Sequence, residues 1–109
     1  MIIQHQNRDS KGIRVSIKNE EKEIASAYVY ILTNDLHKEP FAFLENLFVD
    51  ESARGQGFGT ALIQEVIQTA KEHGCYKLIC TSRHKNQRVH ELYEKLGFRE
   101  QGKEFRMDL

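Results

Sequence analysis

Residues 44–60 predict a strand, a turn and the start of a helix, in the order Leu44-Glu45-Asn46-Leu47-Phe48-Val49-Asp50-Glu51-Ser52-Ala53-Arg54-Gly55-Gln56-Gly57-Phe58-Gly59-Thr60. The mostly apolar run at 44–49 ends sharply at three polar residues, which is typical of a buried or half-buried strand. From Phe58 onward the apolar residues change to the spacing of a helix. These residues are Leu62, Val66 and Ala70. Three glycines at alternate positions separate the two patterns.

The glycine turn (residues 54–60) predicts an anion-binding site. The first turn of a helix leaves backbone N–H groups unpaired, and the helix dipole makes that end positive. The glycines let a phosphate approach the backbone closely, and Arg54 adds a permanent positive charge. The alternative is a tight turn whose glycines only let helix and strand pack together. Neither the Walker A loop nor the dinucleotide fingerprint has this G-x-G-x-G spacing.

A second motif follows after one predicted helix and one predicted strand. It runs Asn86-x-x-Val89-x-x-Leu92-Tyr93-Glu94-Lys95-Leu96-Gly97-Phe98, a helix that carries a tyrosine and ends in Gly-Phe. Together with Arg54-x-x-Gly57-x-Gly59, it resembles the two signatures of the GNAT superfamily of N-acetyltransferases. The resemblance covers residues 41–109 and extends more weakly to residues 13–40.

The resemblance implies a fold. The chain is expected to be an α/β protein of mixed α+β character with the GNAT-like acyl-CoA N-acyltransferase fold. This fold has a mostly antiparallel sheet, a parallel central strand pair and two main helices. We expect residues 1–109 to form a single minimal domain of this kind. Family members usually place a strand and one or two helices before the first hairpin, whereas only about a dozen residues, with no helical periodicity, precede Ile13 here. The chain therefore resembles a small, N-terminally shortened member, and we expect its acceptor side to be open.

Hydrophobic alternation predicts the remaining strands. Ile13, Val15 and Ile17 predict a strand with one buried face, and residues 24–32 predict its antiparallel partner. Pro40 is expected to begin a central strand at residues 41–49.

Two helices and three further strands complete the prediction. A strand at residues 76–81 should lie parallel to the central one, because a strand–helix–strand connection is a crossover. The first helix should stop at Gly74, and the second should run from an N-cap at Asn86 to Gly97. Residues 98–101 and 105–109 predict two short closing strands.

The resemblance implies acetyl-CoA as the cosubstrate. Its diphosphate would lie on the glycine turn, and its pantetheine arm would pair with the backbone of the central strand. A backbone N–H of that strand would also lie near the thioester carbonyl, where it could stabilise an oxyanion. The cofactor-binding residues implied are Leu47, Phe48, Val49, Arg54, Gly55, Gln56, Gly57, Phe58, Gly59, Thr60 and Asn86.

Two residues are candidates for the proton transfers that acetylation of an amine requires. Glu45, on the central strand just before the glycine turn, is the candidate general base, with Glu91 and bulk water as alternatives. Tyr93 matches the tyrosine that commonly serves as general acid in the family. The alternative for Tyr93 is a core aromatic on the apolar stripe of the second helix.

Charge and cysteine content argue against other functions. The 16 basic and 16 acidic residues give zero net charge, unlike a nucleic-acid-binding protein. The basic residues at 83–88 are either a solvated face or a contact for the 3′-phosphate of CoA. Cys75 and Cys80 lack a Cys-x-x-Cys spacing and, on one strand, would face opposite sides, so we expect neither a disulfide nor a metal site.

The chain shows no signal peptide and no long apolar run, and we expect a cytoplasmic protein that binds no membrane. The resemblance leaves a homodimer open, because family members often dimerise.

These observations together predict an acetyl-CoA-dependent N-acetyltransferase that acts on a primary amine of a small molecule or a protein. A non-catalytic acyl-CoA-binding or sensing module is the alternative, because the glycine turn alone would serve it. A third interpretation, a nucleotide-binding or interaction domain, predicts no affinity for acetyl-CoA. The neutral charge does not identify the acceptor.

Overall fold

A computed structural model describes all 109 residues of the chain. Four strands form one sheet in the order β1-β2-β3-β4. They are β1 (Lys11–Asn19), β2 (Lys22–Leu32), β3 (Phe41–Val49) and β4 (Leu78–Cys80). The helices are α1 (Phe58–Glu72) and α2 (Gln87–Lys95), and a 3-10 turn at Glu51–Ala53 follows β3. Because β1–β2 and β2–β3 are antiparallel and β3–β4 is parallel, the predicted mixed α+β sheet is confirmed.

The core lies between one face of the sheet and α1. Alternate residues of β2 and β3 point to this face, and α1 presents apolar residues at helical spacing. The cluster of buried residues consists of Ala25, Ala27, Val29, Ile31, Ala42, Leu44, Leu62, Ile63, Val66 and Ala70. Helix α2 adds half-buried side chains to its edge, among them Leu92 and Tyr93.

Strand β3 contains a bulge at Asn46. The register with β2 shifts here, so that Ala27 alone lies opposite Asn46 and Leu47. Asn46 has a φ of 53°, in the left-handed region that asparagine tolerates better than most residues. The extra residue reverses the alternation: Leu44 faces the core before the bulge, and Leu47 and Val49 pack against the core after it.

Strands β3 and β4 part beyond Leu44. Their pairing ends with Leu44 opposite Cys80, where β4 stops while β3 continues to Val49. The edge of β3 that faces β4 therefore has no strand partner from Glu45 onward. A cleft opens at this place.

Most predicted elements are present. The central strand has the predicted bounds and begins directly after Pro40, and Gly74 and Gly97 follow the two helices at positive φ. The predicted strand at 76–81 is shorter, because only Leu78–Cys80 pair with β3. Neither helix has the length and apolar character that a membrane crossing would need.

The two predicted closing strands are wrong. Residues 98–109 form no regular secondary structure, and their alternating apolar residues are exposed. Such alternation makes a strand only where a partner edge exists, and the three-residue β4 offers little backbone for another strand to pair with. The premise that the two cysteines share a strand is also wrong, since Cys75 lies in the turn after α1.

Removing a buried side chain of α1 tests the core. Leu62 has no exposed surface, so Leu62→Ala leaves a cavity and should lower the free energy of unfolding by about 2–5 kcal/mol. Urea unfolding followed by circular dichroism measures this loss. Gln64→Ala, at an exposed position of the same helix, is the control and should change the free energy by less than about 0.5 kcal/mol. Equal losses in the two variants would contradict this packing.

Candidate active site

A cleft of about 240 Å³ lies where β3 and β4 part. The second half of β3 forms one side, and the segment after β4 and helix α2 form the other. Most of its side chains are polar, which suits a site for polar ligands and proton transfer. The lining residues are Leu44, Glu45, Asn46, Leu47, Thr81, Ser82, Arg83, Asn86, Val89 and Tyr93.

Tyr93 comes to the cleft from the apolar face of α2. Its ring is half-buried and packs against the Phe98 ring, with centroids 5.3 Å apart. Burial, the neighbouring Cys80 thiol and the Glu45 carboxylate together raise the pKa of Tyr93 to about 12, and burial is the largest of these causes. The hydroxyl therefore keeps its proton at neutral pH and is available as a donor. The predicted core packing and the predicted position in the site are thus compatible.

Glu45 lies on the rim of the same cleft. Its side chain is exposed, on the face of the sheet away from α1. Glu45 also contributes to the raised pKa of Tyr93, so the carboxylate and the hydroxyl lie close enough to interact electrostatically. The alternative base, Glu91, is exposed on α2 and does not line the cleft.

The turn between β3 and α1 is fixed by side-chain hydrogen bonds. Asp50 accepts from the Ser52 hydroxyl and from the Ser52 backbone N–H, the latter at 3.2 Å, and these bonds lower the pKa of the Asp50 carboxyl. Arg54 Nε donates to the carbonyl oxygen of Val49 at 3.1 Å. The rest of the guanidinium is exposed, so Arg54 both holds the turn and offers charge to a ligand.

Six consecutive backbone N–H groups, from Gly55 to Thr60, donate no hydrogen bond within the protein. The first amide of this region with a partner is that of Ala61, which donates to the Gly57 carbonyl at 3.0 Å. Gly55 and Gly57 have φ values of 78° and 87°, which favour glycine, and a Cβ on either would meet nothing within 4 Å. Free amides, open space and a helix N-terminus are the features that bind phosphate groups.

The cleft and the glycine turn are two neighbouring regions. Of the predicted site residues, the cleft brings together Glu45, Leu47, Asn86 and Tyr93. Phe48, Val49 and residues 54–60 do not line it. Phe48 and Val49 continue β3 beyond the cleft. The glycine turn lies next to the end of that strand, since an added Cβ on Gly59 would lie 3.6 Å from Val49 Cγ2.

Asn86 begins α2 as predicted, but its side chain makes no capping hydrogen bond. The capping prediction is therefore wrong for the side chain. The backbone of Asn86 is satisfied instead, because its N–H donates to Arg83 O at 3.0 Å and its carbonyl accepts from His90. The carboxamide faces the cleft without a protein partner.

Several lining residues were not predicted as part of the site. They are Leu44, Asn46, Thr81, Ser82 and Val89, together with Arg83, which was considered only as a possible contact for the 3′-phosphate of CoA. The signal for Asn46 was in the sequence: the apolar alternation changes phase between Leu44 and Leu47, which indicates a bulge. Thr81, Ser82, Arg83 and Val89 lie in or after an irregular segment whose path depends on where β4 stops, and the alternation of apolar residues does not reveal that point.

The comparisons with known proteins fit this geometry. The sequence matches the profile of the Acetyltransferase (GNAT) family over residues 2–98. The chain belongs to the GNAT family. The prediction made from the two motifs is thereby confirmed, and so is the GNAT fold.

Similar GNAT proteins act on different amines, by their names. The chain is 42% identical over 66 residues to a glucosamine 6-phosphate N-acetyltransferase of Trypanosoma brucei brucei, covering 61% of this chain and 43% of that protein. It is 37% identical over 78 residues to an aminoglycoside N(6')-acetyltransferase type 1 of Serratia marcescens, covering 72% and 52% respectively. The chain thus spans about half the length of these curated relatives.

A solved structure supports the same fold. The crystal structure of a Trypanosoma brucei acetyltransferase superimposes on this GNAT chain with a TM-score of 0.81. The two are 31% identical in sequence, and the match covers 90% of this chain and 69% of the other.

The raised pKa values of two cleft-side groups predict a loss of stability in alkaline solution. Folding raises the pKa of Cys80 from 9.0 to about 11 and that of Tyr93 from 10.0 to about 12, mainly by burial. Between these limits the folded state binds more protons than the unfolded state, so the free energy of unfolding falls as pH rises. Urea unfolding at stepped pH should show this fall between pH 9 and pH 12. Tyr93→Phe should reduce the slope, and an unchanged slope would contradict the assignment.

Proposed function

We propose that this GNAT protein is an N-acetyltransferase that transfers the acetyl group of acetyl-CoA directly to a primary amine. The observation that carries the proposal is the row of free amides at residues 55–60, placed at the end of the strand that also holds Glu45 in the cleft. From Glu45 to Val49 the strand spans roughly 13 Å, so the anion site and the cleft would hold the two ends of one long donor.

Acetyl-CoA supplies the acetyl group as an activated thioester. The free amides from Gly55 to Thr60 would hold its diphosphate, with Arg54 adding charge. The unpaired edge of β3 at Leu47–Val49 would take the pantetheine arm as an added strand, and the Asn86 carboxamide would bind it from α2. These residues fit the ligand, because the amides lack partners and the space before Gly55 and Gly57 is open.

Glu45 would act as the general base. An alkyl amine with a pKa near 10.4 is neutral in only about one molecule in 2500 at pH 7, a cost of about 4.6 kcal/mol. A carboxylate at the mouth of the cleft offsets part of this cost by accepting the proton, directly or through water. Glu45 has this position, and its exposure leaves it open to an incoming amine.

Tyr93 would act as the general acid. Burial keeps the proton on its Oη, from which the hydroxyl can donate to the departing sulfur atom. This hydrogen bond strengthens as negative charge develops on the sulfur atom. It therefore stabilises the transition state more than the ground state. The half-buried ring, packed on Phe98, fixes the direction of the hydroxyl.

The names of the relatives indicate which acceptor amines to test first. The named relatives act on amino sugars and aminoglycosides, and these compounds are the first acceptors to test, beside polyamines and lysine peptides. The exposure of Glu45 is the observation that favours the alternative, a non-catalytic acyl-CoA sensor. Calorimetry with acetyl-CoA and a thiol-release assay on this panel distinguish the two, because a sensor binds and releases no CoA.

Substitution in the glycine turn tests donor binding. Gly57→Ala places a Cβ at a φ of 87° and strains the backbone by about 1–2 kcal/mol, so the free amides shift. Acetyl-CoA affinity should fall roughly tenfold or more by calorimetry.

Gly102→Ala is the matched control for this substitution. A Cβ there also meets nothing within 4 Å, and no left-handed φ is required. Affinity should be unchanged in this variant, and an equal affinity in Gly57→Ala would remove the donor site from the glycine turn.

Removal of one hydroxyl tests the acid. Tyr93→Phe should lower kcat by roughly 10²-fold, while acetyl-CoA binding stays close to that of the unmodified protein. Steady-state thiol release and calorimetry measure the two quantities. Tyr76→Phe, an exposed tyrosine before β4, is the control and should leave both unchanged. Full turnover in Tyr93→Phe would refute the acid role.

A further inference from the structure

The face of the sheet away from α1 carries an aromatic surface, formed by Tyr28 and Tyr30 of β2. Their ring centroids lie 6.3 Å apart, and their ring planes differ by only 8°. Tyr28 is half-buried and Tyr30 is exposed, so both rings are accessible from solvent. Neither side chain belongs to the cluster of buried core residues, which lies on the opposite face.

Neighbours on β1 hold the two rings in place. Gly12 pairs with Tyr30, and a Cβ on Gly12 would lie only 3.1 Å from Tyr30 Cε1, so the ring lies directly over the glycine. The Arg14 guanidinium lies 5.8 Å from the centroid of the Tyr28 ring and is itself bound by Glu23. The aromatic surface is therefore preorganised, which reduces the entropy cost of binding a ligand.

The aromatic surface adjoins the cleft. Tyr28 pairs with Glu45 across β2 and β3, and directly opposite residues on one face of a sheet have Cβ atoms about 5 Å apart. Glu45 in turn lines the cleft together with Tyr93. A ligand lying on the two tyrosines would place its edge at the proposed base.

We propose that Tyr28 and Tyr30 bind the acceptor, and that the acceptor is a primary amine carried on a saturated ring. The inference rests on the proposed function and names the substrate class of that site. The accessible parts of the two rings pack well against the C–H face of a ligand ring, and the Tyr30 ring, unlike Tyr28 with Arg14 over it, has its attraction for an ammonium group unused. Glu45 beside Tyr28 complements the same positive charge. A flexible linear amine covers the rings less well and loses more conformational freedom.

A matched pair of acceptors tests the ring requirement. Glucosamine and its reduced open-chain form, glucosaminitol, carry the same amine but differ in the ring. We expect glucosamine to be acetylated with the higher kcat/KM. Tyr28→Ala should raise the KM for glucosamine roughly tenfold with little change in kcat, because about 1.4 kcal/mol of stacking is lost. The KM for glucosaminitol should stay the same.

Three control variants separate a binding role from a general structural one. Tyr28→Phe keeps the ring and should retain the KM for glucosamine. Tyr30→Ala should raise it as Tyr28→Ala does, while Tyr76→Ala, an equally exposed tyrosine that stacks on His37, should leave it unchanged. Thermal melting of each variant shows whether the fold is kept.

A direct binding measurement makes the result independent of turnover. Titration of glucosamine into protein with ¹³C-labelled tyrosine should shift the Tyr28 and Tyr30 ring signals, assigned from the phenylalanine variants. No shift at either ring, or an unchanged KM in Tyr28→Ala, would overturn the inference. Acetylation of other amines would in that case leave the proposed function intact. Ring shifts without CoA release on any amine would support the aromatic surface and refute the enzyme.

Discussion

One backbone irregularity, the bulge at Asn46, underlies the arrangement of the site. Without the extra residue, β3 would continue to alternate from Leu44, and the polar Asn46 would point into the core. With it, Leu47 and Val49 still anchor the strand to the core while β4 has already ended. The strand is thus held in place on a stretch where one of its edges is free. Both the cleft and the proposed docking edge for the donor depend on that free edge.

The proposed anion site at the glycine turn depends on a rigid helix behind it. Helix α1 is fixed by side chains with no exposed surface, among them Leu62 and Val66. Its first amides have no partner within the protein, which costs little while water reaches them. Because Asp50 and Arg54 hold the connecting turn, those amides keep a constant position relative to the end of β3. The same helix in this way serves both core packing and the proposed binding of the ligand.

The sequence was sufficient for features that depend on local signals. Pro40 and the polar residues after Val49 mark the bounds of β3, and the glycine turn marks the start of α1. Tyr93, on the apolar stripe of α2, lines the cleft, and the family predicted from the two motifs is confirmed.

Features that depend on distant partners were missed. The alternation of residues 105–109 predicted a strand, yet a strand forms only where another edge is free to pair with it. The point at which β4 stops decides which of Thr81, Ser82 and Arg83 face the cleft, and no local pattern encodes that point. The position of the aromatic surface beside Glu45 follows from the register between β2 and β3, in which Tyr28 lies opposite Glu45, a residue 17 positions later in the chain.

The burial of Cys80 has a consequence for chemical selectivity. A protein that handles thioesters risks acylating its own thiols, because the thiolate is a strong nucleophile. Burial, partly offset by the Tyr93 hydroxyl, raises the pKa of Cys80 to about 11, so at pH 7 only about one thiol in 10⁴ is ionised. The cysteine nearest the proposed reacting atoms is thus kept inert, and an activated acyl group would be left for the incoming nitrogen.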